Sequence, residues 1–235
     1  MDVSGGQALA RLRGAGAAFI VSLILFSVLS NGTGQAAERP LPGDYLPAYR
    51  AAAERGDPKS QFYLGLRYEE GVSAAPDYET AAHWYGKAAA QGVRQAAFRL
   101  GVLYQEGRIG GAPAPGRAAR WYREAAEAGL PEAQFNLAYL YERGLGIDAD
   151  GAQAAVWYRR AALQGMTSAY KALGVLFAAG RLVERDDAKA LFWLSLLENE
   201  SRGDVEAIRS LIRGRNDAEI NREVERLRAE WHAQK

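Results

Sequence analysis

Apolar side chains recur along this chain in two alternating blocks. The first block reads FYLGLRYEEG at 62–71, FRLGVLYQEG at 98–107, FNLAYLYERG at 135–144 and KALGVLFAAG at 171–180. The second reads AAHWYGKAAAQG at 81–92, AARWYREAAEAG at 118–129, AAVWYRRAALQG at 154–165 and, more loosely, ALFWLSLLENE at 190–200. First-block copies start 36, 37 and 36 residues apart, and Trp84, Trp121, Trp157 and Trp193 keep intervals of 37, 36 and 36. The one-residue excess falls in the Gly- and Pro-rich stretch between Gly107 and Trp121, which predicts a loop able to absorb an insertion.

Both blocks have the helical period. Ala81, Trp84, Tyr85, Ala88 and Ala89 occupy i, i+3, i+4, i+7 and i+8, one apolar stripe of a helix. Gln61, Leu64, Gly65 and Tyr68 form the equivalent stripe of the first block. Small residues at Gly65, Gly101, Ala138 and Gly174 leave room for a neighbouring helix, with Tyr68, Tyr104, Tyr141 and Phe177 filling the space beside them. Gly71, Gly107, Gly144 and Gly180 end the first helices, where a left-handed cap is favoured. Each unit is therefore a helix–turn–helix hairpin of about 36 residues. One hairpin cannot bury both faces, but stacked hairpins can. The expected architecture is an all-α, right-handed superhelical solenoid of about four such units with capping helices at its ends.

The boundaries follow from the frame. Units are expected at 57–93, 94–130, 131–166 and 167–200. Residues 44–56 form a capping half-repeat, since Ala48 to Gly56 aligns with Trp84 to Gly92. Beyond 200 the frame dissolves, and 201–235 is read as charged capping helices. Segments 204–213 and 217–232 carry apolar Leu211, Ile212, Ile220, Val224, Leu227 and Trp231 among dense Arg and Glu. At the other end, Arg11 and Arg13 precede an apolar run from Ala15 to Leu29, followed by Gly34-Gln35-Ala36. Basic, apolar and small-residue regions in that order match a secretory signal peptide over 1–36, cleaved after Ala36. The fifteen-residue run is short of the roughly 20 that a spanning helix needs, which favours cleavage over an uncleaved inner-membrane anchor. Either way the remainder is expected to be exported, to the periplasm or beyond. Residues 37–43 read as a linker.

Charge narrows the partner classes. Lys plus Arg number 29 against 28 Asp plus Glu, and the balance stays even without residues 1–36. Such a chain has no general electrostatic footprint for nucleic acid or an anionic membrane; membrane contact is expected only through the N-terminal segment. There is no cysteine, which excludes disulfides, thiolate catalysis and a lipoprotein anchor.

The frame A-x-x-x-L-G-x-x-Y-x-x-G followed by A-A-x-W-Y-x-x-A-A-x-x-G resembles the Sel-1-like repeat, a relative of the tetratricopeptide repeat. Ser60 to Gly92, Ala96 to Gly129 and Ala133 to Gly165 carry it closely. Ala169 to Glu200 carries it in part, with Leu194 for the second Tyr and no closing Gly. The resemblance implies an α-solenoid adaptor or scaffold, often exported in bacteria and linked to envelope processes, signalling and host contact. A cysteine-rich branch is associated with penicillin binding and β-lactam hydrolysis. Without cysteine, this chain gives no reason to transfer that activity, so an envelope hydrolase or a β-lactam- or peptidoglycan-binding protein stands as the alternative. A subunit that restrains a membrane sensor is a further variant of the adaptor reading.

Side-chain chemistry for catalysis is sparse. The two histidines, His83 and His232, lack partners at ligand spacing and read as solvated. No nucleophile elbow, S-x-x-K pair, H-E-x-x-H helix or phosphate loop occurs. Glu69, Glu70, Glu106 and Glu142 end the first helices and read as solvated helix ends, and the Trp-Tyr pairs as inter-helix core. No catalytic residue, cofactor or metal is expected. A binding surface follows more directly. In solenoids of this kind the first helices line the concave face, and away from the Leu64/Tyr68 stripe lie Phe62, Leu66 and Glu69. Their counterparts are Phe98, Val102 and Gln105, then Phe135, Tyr139 and Glu142. This ladder would suit an extended peptide or a partner helix. The expected contacts are Glu69, Gln105, Tyr139 and Glu142, with Phe62, Phe98 and Phe135 open equally to packing between units. The partner is expected to be a protein, with envelope and sensor proteins among the possibilities.

Overall fold

The computed structural model describes residues 46–71, 75–197 and 217–234. Among the described residues there are ten helices and no strand. They are α1 (Leu46–Glu54), α2 (Pro58–Glu70), α3 (Tyr78–Ala89), α4 (Arg94–Gln105), α5 (Pro115–Glu127), α6 (Pro131–Arg143), α7 (Gly151–Leu163), α8 (Thr167–Ala179), α9 (Asp187–Ser195) and α10 (Asp217–His232). Helices α2 to α9 form four hairpins, α1 precedes them and α10 follows. Each helix packs chiefly on the helices next to it in sequence, the nearest-neighbour pattern of a helical solenoid. The expectations for 1–45 and 201–216, including a helix over 204–213, lie outside the described residues.

Local chemistry sets the helix ends. Asp57, Asp77, Asp150 and Asp186 are N-caps whose carboxylates accept the N–H of the residue three positions on, Ser60, Thr80, Gln153 and Lys189. Proline opens α2, α5 and α6, where its missing N–H leaves nothing unpaired. Gly144 closes α6 at φ +66°, donating its N–H to the Leu140 carbonyl. A side chain there would be strained and would press on Ala149.

Small residues bring the helices of a hairpin together. A Cβ on Gly65 would lie 2.6 Å from the Tyr85 ring, and one on Gly101 would lie 2.5 Å from the Tyr122 ring. Leu100, Leu137 and Leu173 share one continuous buried core with Ala81, Ala118, Ala154 and Ala190, and Leu64 is fully buried. The second-helix stripe departs from expectation in one respect. Trp84 and Trp121 lie at its edge and are half-buried, with the Lys87 ammonium 4.5 Å from the Trp84 ring centre. Trp193 is buried because α10 covers it.

Buried glutamines tie alternate junctions. Gln61 donates to the Ala53 carbonyl and accepts from Gln91, at 3.1 and 2.7 Å. Gln134 does the same with Ala126 and Gln164, at 3.1 and 2.9 Å. Each amide thus links its own hairpin to the preceding helix, and its buried polar atoms are satisfied. The C-terminal end is closed by α10. Val224 and Trp231 are buried, and Ile220 and Leu227 pack beside them. The Trp231 ring stands edge-on to Trp193 at 5.1 Å and to Tyr170 and Phe192 at 6.2 Å each. The polar face of α10 is largely self-neutralised: Arg226 pairs with Glu223 and Glu230, and Arg228 with Glu225. Among the described residues no helix is long and apolar enough to cross a membrane.

Candidate interaction surface

The first helix of each hairpin carries the same ladder of positions: one, two, five and eight of the first block. In α2 these are Phe62, Tyr63, Leu66 and Glu69; in α4 Phe98, Arg99, Val102 and Gln105; in α6 Phe135, Asn136, Tyr139 and Glu142; in α8 Lys171, Ala172, Val175 and Ala178. Phe62, Leu66, Phe98 and Tyr139 are half-buried, whereas Phe135 and Val102 are buried. Sequence reasoning thus places its seven residues on one side of α2, α4 and α6, and the fold lines them up unit by unit.

The same residues also hold each hairpin together from within. Phe62 packs on Tyr85 at 5.7 Å, Phe98 on Tyr122 at 5.8 Å, and Phe135 on Tyr158 at 5.1 Å between ring centres. Each of these tyrosines is almost wholly buried and donates its hydroxyl to position eight of its own hairpin. Tyr85 donates to Glu69, Tyr122 to Gln105 at 2.9 Å, and Tyr158 to Glu142 at 2.8 Å. Phe135 therefore acts through shape, and the carboxylates of Glu69 and Glu142 are half-buried acceptors rather than solvated helix ends. Glu70 and Glu106 fit the solvated reading better, pairing at the surface with Arg67 and Arg108. A signal for this ladder was present in the sequence. In the fourth unit Leu194 replaces the tyrosine, and Ala178 replaces the acceptor.

Position two of the following unit completes each junction. Arg99 lies 3.4 Å from Glu69. The neutral Asn136 holds the same position beside Tyr122 at the second junction. At the third junction the counterpart is Ala172.

Burial pushes the Tyr85, Tyr122 and Tyr158 hydroxyls up from the usual tyrosine range, and the Glu69 and Glu142 carboxylates push Tyr85 and Tyr158 further. The unfolded chain ionises these groups near pH 10 and the folded chain does not. Their contribution to stability is therefore fully present below about pH 10 and is lost as pH rises above it. Alkaline thermal unfolding of the triple Tyr→Phe variant should show a shallower fall of Tm with pH than the parent chain. In the parent, ultraviolet absorbance should show these tyrosines ionising only as the fold is lost.

Among the described residues no group of three or more His, Cys, Asp or Glu is placed to hold a metal ion. His83 is exposed beside Trp84, and His232 is exposed near the end of α10. Gly110 and Gly111 sit in the turn between α4 and α5, where the Gly110 N–H is taken by Glu79 at 3.0 Å.

The model of the Sel1 repeat matches residues 58–93, 94–130, 131–166 and 167–197, more than half of the chain. The chain belongs to the Sel1 repeat family. Among solved structures it is similar to c5321, a protective antigen of uropathogenic Escherichia coli with an SLR fold, at 32% identity and a TM-score of 0.65. That match covers 92% of this chain and 45% of the other, so the chain spans less than half the length of that antigen. It is also similar to a Sel1 repeat protein of Oxalobacter formigenes, at 29% identity and a TM-score of 0.60, over 69% of this chain and 70% of the other. A search of curated proteins found no match. Sel1 repeat proteins are generally scaffolds for protein–protein interaction.

Proposed function

We propose that this Sel1 repeat chain is an exported scaffold that holds a protein partner along the face formed by α2, α4, α6 and α8. The observation that carries the reading is the recurrence of one set of positions on four successive helices. An extended peptide or a partner helix can follow such a row, taking apolar contact from Leu66, Val175 and Tyr139 and polar contact from the carboxylates between them. The buried tyrosines and phenylalanines beneath hold that face rigid, so little ordering is needed on binding. Export rests on the Arg11/Arg13 and Ala15–Leu29 pattern of the N-terminus, and it puts the partner in the cell envelope or outside the cell.

Capture of crosslinked complexes from whole cells tests this. The tagged full-length chain is compared with a Leu66→Ser/Tyr139→Ala variant and with a Val156→Ala/Leu163→Ala variant. The second pair lies exposed on α7, a second helix. All four side chains are at least partly exposed, so circular dichroism should show helical content unchanged. A specific partner lost only from the first variant is the expected result. Loss only from the α7 variant would move the site to the second helices and overturn the reading.

A further inference from the structure

The three junctions along the first-helix face carry the same geometry with different charge, and the third is left open. At the first, the Glu69 carboxylate accepts from Tyr85 and meets the Arg99 guanidinium of the next unit at 3.4 Å. At the second, the neutral Gln105 accepts from Tyr122, and the neutral Asn136 stands where Arg99 stands at the first. At the third, Glu142 accepts from Tyr158 at 2.8 Å, but the next unit offers Ala172 where Arg99 stands two units earlier. Arg143, the next residue along α6, turns instead to the Tyr139 ring, with its guanidinium carbon 5.6 Å from the ring centre. Among the described residues no cation lies within ion-pair distance of Glu142. In the fourth unit Ala172 and Val175 are half-buried, and the short Ala172 side chain stands at the position that Arg99 occupies at the first junction.

Building on the first-helix reading, we infer that this notch between the third and fourth units takes an arginine side chain of the partner. The guanidinium would pair with Glu142 as Arg99 pairs with Glu69, and its aliphatic stem would cross Ala172 and Val175. Three features of the structure favour this occupant. The chain itself shows a guanidinium seated against a tyrosine-bonded carboxylate of identical placement. Glu142 accepts a hydrogen bond from Tyr158 and forms no ion pair among the described residues. Finally, an arginine's planar head and long apolar stem suit a carboxylate set behind an apolar shelf.

The test uses an array of short synthetic peptides, each carrying a central arginine and each paired with a copy in which citrulline replaces it. Citrulline keeps the shape and removes the charge. The full-length chain should retain arginine members about tenfold better than their citrulline partners, the scale of a charge-assisted hydrogen bond at a half-buried site. Glu142→Gln should erase that preference while keeping the fold, because Gln105 already accepts from Tyr122 at the second junction. Glu106→Gln, at an exposed carboxylate just after α4, should leave the preference intact. Ala172→Arg, which supplies an internal guanidinium, should close the notch and abolish arginine binding. Equal retention of both peptide forms, or a preference that survives in Glu142→Gln, would overturn the inference. Peptides retained equally in both forms yet lost by the Leu66→Ser/Tyr139→Ala variant would remove the role of Glu142 and leave the first-helix face standing. Peptides unaffected by either variant would count against both.

Discussion

Trp231→Ala should cost about 3–5 kcal/mol, the scale of a buried Trp truncation, and the loss should be confined to one end of the molecule. The indole is 4% exposed and touches Tyr170, Phe192 and Trp193, which belong to α8 and α9. Little else on α10 is anchored so firmly: Val224 is its other buried side chain, and its ion pairs lie at the surface, where each is worth little. Without the indole, Phe192 and Trp193 face water and the fourth hairpin becomes an uncapped end. In a solenoid, stability is close to a sum of unit and neighbour terms, so the damage should not spread evenly. Hydrogen exchange should show amides of α8 to α10 losing protection while those of α2 to α5 keep theirs. A uniform loss across all helices would contradict the nearest-neighbour account.

Gly101→Val should destabilise the chain by about 3 kcal/mol, the upper range for overpacking a filled core. The first added carbon would fall 2.5 Å from the Tyr122 ring. That ring has nowhere to go: it is 1% exposed, packs on Phe98 and is tied through its hydroxyl to Gln105. Helices α4 and α5 must therefore separate. Gly101→Ala should be much milder, because the third hairpin carries Ala138 at the equivalent position and still closes. A urea titration would show a lowered midpoint for the valine variant. A reduced slope would also be expected if the central hairpin gives way separately from its neighbours. A midpoint unchanged in both variants would mean that the crossing is looser than the structure shows.

The path of the chain was legible because each unit repeats its small residue, its tyrosine and its closing glycine at a fixed interval, and only a stacked hairpin satisfies all of them. The Gly65 and Gly101 crossings follow from the same spacing, whereas the aspartate caps occur at only some helix starts. Harder to read were contacts that join separate blocks. Glu69 and Glu142 look like solvated helix ends in a linear pattern, since nothing local shows a tyrosine hydroxyl arriving from sixteen residues on. The co-substitution of Ala178 with Leu194 is the trace such a contact leaves. Trp231 was recognisable as apolar, yet its place in a cluster with Trp193 depends on how α10 folds back, which no repeat frame encodes. For the candidate surface, the sequence located the row of residues on the first helices. It did not show that Phe62, Phe98 and Phe135 brace the tyrosines beneath, nor that Glu142 lacks the arginine that Glu69 has.

The most direct test of the central claim is photocrosslinking in living cells, with benzoylphenylalanine placed singly at Tyr139, at Leu66 or at Val156 of the full-length chain. A partner that rests on the first-helix face should give one shared crosslinked product from positions 139 and 66 and none from position 156. The same product from position 156 alone would place the partner on the second helices and contradict the account.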